Sequence, residues 1–177
     1  MNCEATLKGD NIYFLRQGVA LLEGLTDALY ASQPPIRMSA VGAHLRHCLD
    51  LYTCFLAGLH TGRVDYDSRN RDPRLETDRG YALEALASII RRLEESPLEE
   101  QDRPLRAAMD RGAGEEGEAA WSGTSVRREL QFLRSHTVHH YALIAAVLRV
   151  QGYEPPADFG VAPATLTYRR ETAAART

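Results

Sequence analysis

The sequence predicts an all-α protein built as a four-helix bundle. Four stretches of the 177-residue chain carry apolar residues three or four positions apart, which is the spacing of one helix face. Each stretch is about 18 to 27 residues long and stops at a proline or a glycine. Because some of the connections between them are long, we expect one or more crossovers in the bundle.

The first two helices precede residue 62. The first is predicted from about Asn11 to Ala31, and the Pro-Pro pair at 34–35 ends it. The second is predicted from Ser39, as its N-cap, to about Thr61. Gly62 then provides the stop signal.

The last two helices are predicted from the same signals. The third runs from about Asp78 to Glu95 and is closed by the Ser-Pro pair at 96–97. The fourth follows the Ser-Gly-Thr-Ser run at 122–125 and continues to Gln151, with Gly152 as its stop.

The connections predict three further features. Residues 65–73 are polar and charge-rich and predict an ordered loop. Residues 99–121 carry two apolar runs around a glycine-rich centre, which predicts a short β-hairpin with a flexible tip. From Tyr153 the tail is expected to run extended across the bundle. We therefore expect a single domain over residues 1–168 and a disordered tail over residues 169–177.

Composition and charge exclude several classes of function. A net charge of -3 and a pI near 6.1 give no basic surplus, so nucleic acid is not an expected partner. No apolar run approaches the roughly 20 residues that cross a bilayer, and the first residues lack the order of a signal peptide. The cysteines form an odd set, Cys3, Cys48 and Cys54, of which the last two fall in a predicted helix as buried thiols. A reducing cytoplasm fits this pattern best.

Histidines are concentrated in the second and fourth predicted helices. Successive helical residues are turned by about 100°, so His136 and His140 both fall within the apolar arc of the fourth helix, one turn apart. The adjacent His139 falls at the rim of that arc. A single inward histidine is more often a hydrogen-bonded core residue, but two at i and i+4 can bind one metal ion. The pair favours a metal site, because burying each ring without a partner would cost about 1–3 kcal/mol.

The second helix offers the third ligand. Both His44 and His47 lie on its apolar side, and the periodicity does not choose between them. His60 falls near the helix end and outside the apolar side, as a solvated surface residue does. Cys48 and Cys54 are alternative ligands, although their interpretation as small core residues is favoured.

Three imidazoles without a fourth protein ligand leave one coordination position for water or substrate. That is the catalytic rather than the structural pattern of zinc coordination. Nickel, iron and copper also accept imidazole nitrogen, so the pattern does not name the metal.

Two segments resemble a known family. The run VGAHLRHCLD at 41–50, followed far downstream by SHTVHHY at 135–141, resembles the DinB-like (damage-inducible, YfiT-like) superfamily. The resemblance covers about Asn11 to Gln151. It implies an up-down-down-up four-helix bundle with a metal held by one histidine of the second helix and a later HxxxH pair. Carried over by position, the ligands are His47, His136 and His140, and His44 competes with His47.

The resemblance implies a function only in outline. Members are similar to S-transferases that use mycothiol, bacillithiol or glutathione, to a maleylpyruvate isomerase and to metal-dependent hydrolases. The chain is then expected to be an enzyme in which a divalent metal, zinc or nickel or else iron, activates a thiol or water. A low-molecular-weight thiol is a candidate cofactor, and no motif names the small-molecule substrate or a catalytic residue. The alternative is a non-catalytic homodimeric bundle with a structural or vestigial metal site.

Charged residues near the predicted ligands are open to two interpretations. Asp50, one turn from His47, either orients an imidazole or is a solvated carboxylate, and the second is favoured. Arg46 and the arginines of 69–74 either receive an anionic substrate or balance nearby aspartates. The balancing role is again favoured.

Overall fold

The computed structural model describes residues 6–98, 102–110 and 120–174. The protein is mostly helical with one small sheet, so the all-α class is confirmed in outline. No helix in the described part of the chain is long and apolar enough to cross a membrane. The elements in chain order are α1 (Leu7–Gly24), α2 (Asp27–Ala31), α3 (Val41–Thr61), β1 (Arg63–Asp65), α4 (Arg74–Thr77), α5 (Arg79–Glu95), β2 (Pro104–Ala108), β3 (Ser122–Ser125), α6 (Val126–Val150) and α7 (Pro163–Ala174).

The first predicted helix is divided into α1 and α2. Helix α1 begins earlier than predicted, because the Thr6 hydroxyl accepts a hydrogen bond from the backbone of Gly9 as an N-cap. It ends at Leu25, which is extended, and the Thr26 side chain then caps α2 by accepting from the Leu29 backbone. The apolar spacing continues through Leu25, so periodicity alone predicts one continuous helix and does not indicate the break.

The other long helices lie close to their predicted bounds. The N-cap of α3 is Ala40, one residue after the predicted Ser39, and its C-cap Gly62 adopts the left-handed conformation with φ of 73°. Helix α5 is capped by Asp78, whose carboxylate accepts from the Tyr81 backbone. Helix α6 is capped by the side chain of Ser125.

The predicted hairpin is present and belongs to a three-stranded sheet. Strands β2 and β3 pair antiparallel, with Leu105 opposite Thr124. Strand β3 lies just after the predicted second run, which ends at Trp121, and the predicted glycine-rich tip at 112–117 lies outside the described residues. Strand β1 pairs parallel with β2 at the other edge, with Val64 opposite Ala107. This strand was not predicted, because three residues after a helix carry too little pattern to indicate a distant partner.

The C-terminal segment differs from the expectation of an extended and then loose tail. Residues 163–174 form α7, with Pro163 at the first helical position, where its missing N–H costs nothing. The stretch before it returns to α6, where the Phe159 ring stacks on Tyr141 with centroids 4.7 Å apart. Residues 175–177 lie outside the described residues.

The four long helices contact one another in the pairs α1–α5, α5–α3, α3–α6 and α6–α1. Each long helix therefore touches two others, and their apolar faces meet in one core. The core consists mainly of leucine, isoleucine and aromatic side chains from these helices.

Two glycines of α3 let the following segment lie directly on the helix. A Cβ at Gly42 would collide with the backbone of Glu76, and one at Gly58 would lie 2.8 Å from Cα of Val64. Residues 63–77 thus approach α3 at both of their ends. We call residues 66–77 the covering segment.

A buried polar network joins three of the long helices. Asn11 of α1 is fully buried, and its amide donates to the backbone oxygens of Leu7 (2.7 Å) and of Leu130 in α6 (3.0 Å). Its side-chain oxygen accepts from the Tyr52 hydroxyl of α3 at 2.7 Å. The Thr137 hydroxyl of α6 lies 3.3 Å from that of Tyr52. These contacts fix the axial positions of α1, α3 and α6 relative to one another.

The Asn11→Ala variant is expected to lower the free energy of unfolding by about 1–3 kcal/mol, because it removes the buried acceptor of the Tyr52 hydroxyl and the hydrogen bond that joins α1 to the Leu130 carbonyl of α6. Urea denaturation followed by circular dichroism measures this loss. The control is Asn70→Ala at an exposed loop position, which should change the free energy by less than about 0.5 kcal/mol. Equal effects of the two substitutions would contradict the proposed role of the network.

Candidate metal centre

Three histidines from two helices converge on one point. His47 of α3 faces His136 and His140 of α6, and one ring nitrogen of each lies within 4.8 Å of the others. Nε2 of His47 is 2.8 Å from Nε2 of His136, and the ring centroids of His136 and His140 are 4.6 Å apart. All three residues are half-buried. The structure thus brings the three predicted ligands within reach of one ion, and metal binding itself stays a prediction.

His44, the competing candidate, lies beside His140. Its Nδ1 is 3.0 Å from Nδ1 of His140, and its Nε2 is buried without a hydrogen-bond partner. Among the described residues, the group of nitrogens close enough for one ion contains His47 rather than His44. The geometry therefore favours His47 as the third ligand. His44 instead contacts the ligand His140 through its Nδ1 atom.

The two remaining histidines lie where the helical wheel puts them. His139 is exposed at the rim of the cluster, with its ring centroid 5.3 Å from that of His140. His60 is exposed near the end of α3. Neither belongs to the group of three nitrogens.

The donor set suits a divalent transition metal. Three imidazoles supply nitrogen ligands of the kind that zinc, nickel and iron accept. The contact between His44 and His140 provides the outer hydrogen bond that metal-binding histidines usually make through their second nitrogen. Within the described chain, no carboxylate or thiolate joins the group, so these ligands would not neutralise a bound cation.

The pKa values of the clustered histidines are held low. Burial, reinforced by repulsion from a protonated His136 and from Arg69, lowers the pKa of His47 to about 4. Burial, reinforced by His136 and His47, lowers the pKa of His140 to about 3. The pKa values of His44 and His136 are also lowered, mainly by burial. At neutral pH the rings are therefore uncharged, which is the form that binds a metal ion.

Arg69 of the covering segment contacts the cluster from the side of α3. Its Nη1 lies 3.2 Å from Nδ1 of His47. A guanidinium only donates hydrogen bonds, so Nδ1 of His47 is the acceptor. The sequence indicated this arginine only as one of several in 69–74, because periodicity cannot show that a loop lies over a helix face.

Asp50 is buried, so its favoured interpretation as a solvated carboxylate was wrong. Only 6% of its surface is exposed, and its Oδ2 lies 3.4 Å from Nη1 of Arg46. Burial raises the pKa of Asp50, although the charges of Arg46 and Arg69 oppose this rise. Helical periodicity could not show that the covering segment lies over the side of α3 that carries Asp50.

The cysteines of α3 are free thiols in the core rather than members of the histidine group. Cys48 is buried and Cys54 is half-buried. Burial raises the pKa of both thiols, so both are protonated at neutral pH. Cys3 lies outside the described residues.

A cavity of about 300 Å³ lies between the sheet and α6. Phe132 lines it and contacts the cluster, since its ring centroid is 5.4 Å from that of His136, but none of the described histidines lines the cavity. Its floor carries the buried carboxylate of Glu129, which accepts hydrogen bonds from the Tyr66 and Thr124 hydroxyls at 2.6 and 2.7 Å. Sequence reasoning missed this cavity, because its walls come from strands and a helix that are far apart in the chain. The lining includes Ala107, Met109, Ser122, Gly123 and Arg128.

Comparison with known proteins gives one family and one curated relative. The sequence model of the DinB superfamily matches residues 16–144. FK506-binding protein 5 of Rhizopus delemar is 33% identical over 105 residues, which are 59% of this chain and 27% of that protein. The chain therefore corresponds to only a part of this relative. The family match spans α3 and most of α6, and with them His47, His136 and His140.

The free energy of unfolding, measured in the presence of a chelator, is expected to fall as the pH is lowered from 7 towards 4. The lowered pKa values of His47 and His140 mean that the unfolded chain, with histidines near 6.5, binds more protons in this window. Urea denaturation at several pH values measures the slope.

The His140→Gln variant should show a shallower slope than the wild type, because one of the perturbed groups is gone. His60→Gln, at an exposed position, is the control and should keep the wild-type slope. A wild-type slope in His140→Gln would mean that burial of this ring does not disfavour its charged form.

Proposed function

The chain belongs to the DinB superfamily, and on that premise we propose that it is a metal-dependent enzyme whose three-histidine site activates a thiol or water. The observation that supports this proposal is the group formed by His47, His136 and His140, with nitrogens inside 4.8 Å of one another. The reaction classes are S-transfer, isomerisation and hydrolysis. Zinc and nickel are the metals proposed first, and iron is the third choice.

His47, His136 and His140 would hold the metal, which supplies a thiolate or hydroxide at neutral pH by lowering the pKa of its fourth ligand. His44 orients His140, because the contact between their Nδ1 atoms leaves Nε2 of His140 for coordination. His44 therefore acts as a positioning residue. The lowered pKa values keep the ligand rings free of protons that would compete for the same nitrogens.

The thiol would come from a separate small molecule rather than from the protein. The pKa values of Cys48 and Cys54 are raised, so neither offers a thiolate at neutral pH. The cavity that Phe132 lines, one side chain away from His136, would provide space for the body of a small substrate. Its apolar wall and the buried Glu129 suit a molecule with both apolar and polar parts.

The competing function is a non-catalytic homodimer with a structural or vestigial metal site. A structural site is usually closed by four protein ligands, and the three nitrogens found here favour the enzyme instead.

We further propose a cytoplasmic location, the up-down-down-up order of the four long helices, and a homodimer. We propose no nucleic acid or membrane partner.

Metal content tests the ligand assignment. Tag-free wild-type protein is expected to carry about one equivalent of divalent metal, and His136→Ala below about 0.1 equivalent, because two imidazoles hold a metal too weakly to survive purification. Inductively coupled plasma mass spectrometry measures both. The control is His139→Ala, adjacent in sequence but exposed, which should retain the wild-type content. Wild-type protein that holds no metal when supplied with zinc, nickel or iron would refute the metal-dependent function.

Thiol binding separates the enzyme from a closed structural site. Cobalt-loaded wild-type protein is expected to develop a sulfur-to-cobalt charge-transfer band when β-mercaptoethanol is added, because a position on the metal is open to solutes. Absorption spectroscopy records the band, and His139→Ala should behave like the wild type. A metal-loaded protein whose spectrum ignores both added thiol and added azide would support the structural alternative.

A further inference from the structure

Arg69 has no carboxylate within ion-pair distance among the described residues, unlike Arg46 of α3 and Arg74 of the covering segment. Arg46 lies 2.7 Å from Glu76 and 3.4 Å from Asp50, and Arg74 lies 3.3 Å from Asp78. Among the described residues, the structure gives Arg69 no ion pair. Its hydrogen bond goes to Nδ1 of His47, and its Nε is buried without a partner. A half-buried guanidinium is thus held at the site with unused donors.

Metal binding by His47 would remove the acceptor that Arg69 now uses. When His47 coordinates through Nε2, the ring proton resides on Nδ1. Arg69 also presents an N–H at that point, so two donors would face each other. The guanidinium then needs another acceptor, because leaving a partly buried charge unpaired is costly.

The buried carboxylate of Asp50, whose pKa the charges of Arg46 and Arg69 act to lower, is already engaged. It forms an ion pair with Arg46 at 3.4 Å. The three histidines are neutral and contribute no negative charge. A divalent cation and the guanidinium of Arg69 would therefore leave the site strongly positive, and an anion that enters it would relieve this charge.

We propose that Arg69 binds the carboxylate of the small molecule that the histidine site acts on, so that the ligands of this protein are small organic acids. The planar fork of a guanidinium matches a carboxylate with two hydrogen bonds. The proposal rests on the metal-dependent function above. It assigns the reacting group to the metal and the carboxylate to Arg69.

Two probes that differ only in charge test this assignment. β-Mercaptopropionate and β-mercaptopropionamide both offer a thiol to cobalt-loaded protein, and the charge-transfer band gives the dissociation constant of each. Wild-type protein is expected to bind the acid at least about tenfold more tightly than the amide, which is the effect of one charged hydrogen-bonded pair. In Arg69→Met the preference should fall to about one.

The control is Arg74→Met, an exposed arginine of the same segment, which should keep the wild-type preference. Arg69→Lys, which keeps the charge without the fork, should keep part of it. Metal content and thermal unfolding of each variant show that it is loaded and folded. The affinities of wild-type protein for the acid and the amide can be compared without any variant. The test therefore remains valid even if a substituted protein misfolds.

The outcomes separate the two proposals. Equal affinity of loaded wild-type protein for acid and amide overturns the role of Arg69, and so does a full preference in Arg69→Met; either result leaves the metal-dependent function standing. Protein that takes up no metal overturns the proposed function and this inference with it.

Discussion

The buried hydrogen bonds of Asn11 determine how the two halves of the histidine cluster face each other. Asn11 is bound to the backbone of α6 and to Tyr52 of α3, the two helices that carry the histidines. Apolar contacts are not directional, whereas these bonds fit only one axial position of the helices. A shift of one residue is about 1.5 Å along a helix, which exceeds what a hydrogen bond tolerates. The distance between His47 and His136 depends on this constraint.

Burial does more at this site than hold the rings in place. It lowers the pKa values of the histidines, raises those of the thiols in α3, and makes unpaired charge expensive. Neutral imidazoles are thereby available as ligands, while the protein's own cysteines are withheld from thiol chemistry. In the same environment the half-buried charge of Arg69 is costly unless an anionic partner binds it. Burial alone thus prepares the histidines to bind a metal and keeps the cysteine thiols protonated.

Local signals in the sequence were sufficient for the bounds of the second, third and fourth predicted helices and for the direction of the histidine pair. Asp78, Ser125 and Gly62 act through contacts within a few residues, so their roles can be read from the chain. The break before α2 escaped prediction because Leu25 preserves the apolar spacing. Strand β1, the burial of Asp50 and the contact of Arg69 depend on partners far away in the chain. Periodicity describes a single element and carries no information on what covers it.

The covering segment is held close to α3 on both sides, because Gly58 admits the backbone of Val64 just before it and Gly42 admits that of Glu76 near its end. Between these points its residues approach the cluster without belonging to α3 or α6. Insertions or exchanges there would alter what meets the reacting molecule and leave the ligand nitrogens where they are. If the proposed function holds, the fold separates the residues that bind the metal from those that select the substrate. Such a division lets a lineage, or a protein engineer, redirect the scaffold to new molecules one loop at a time.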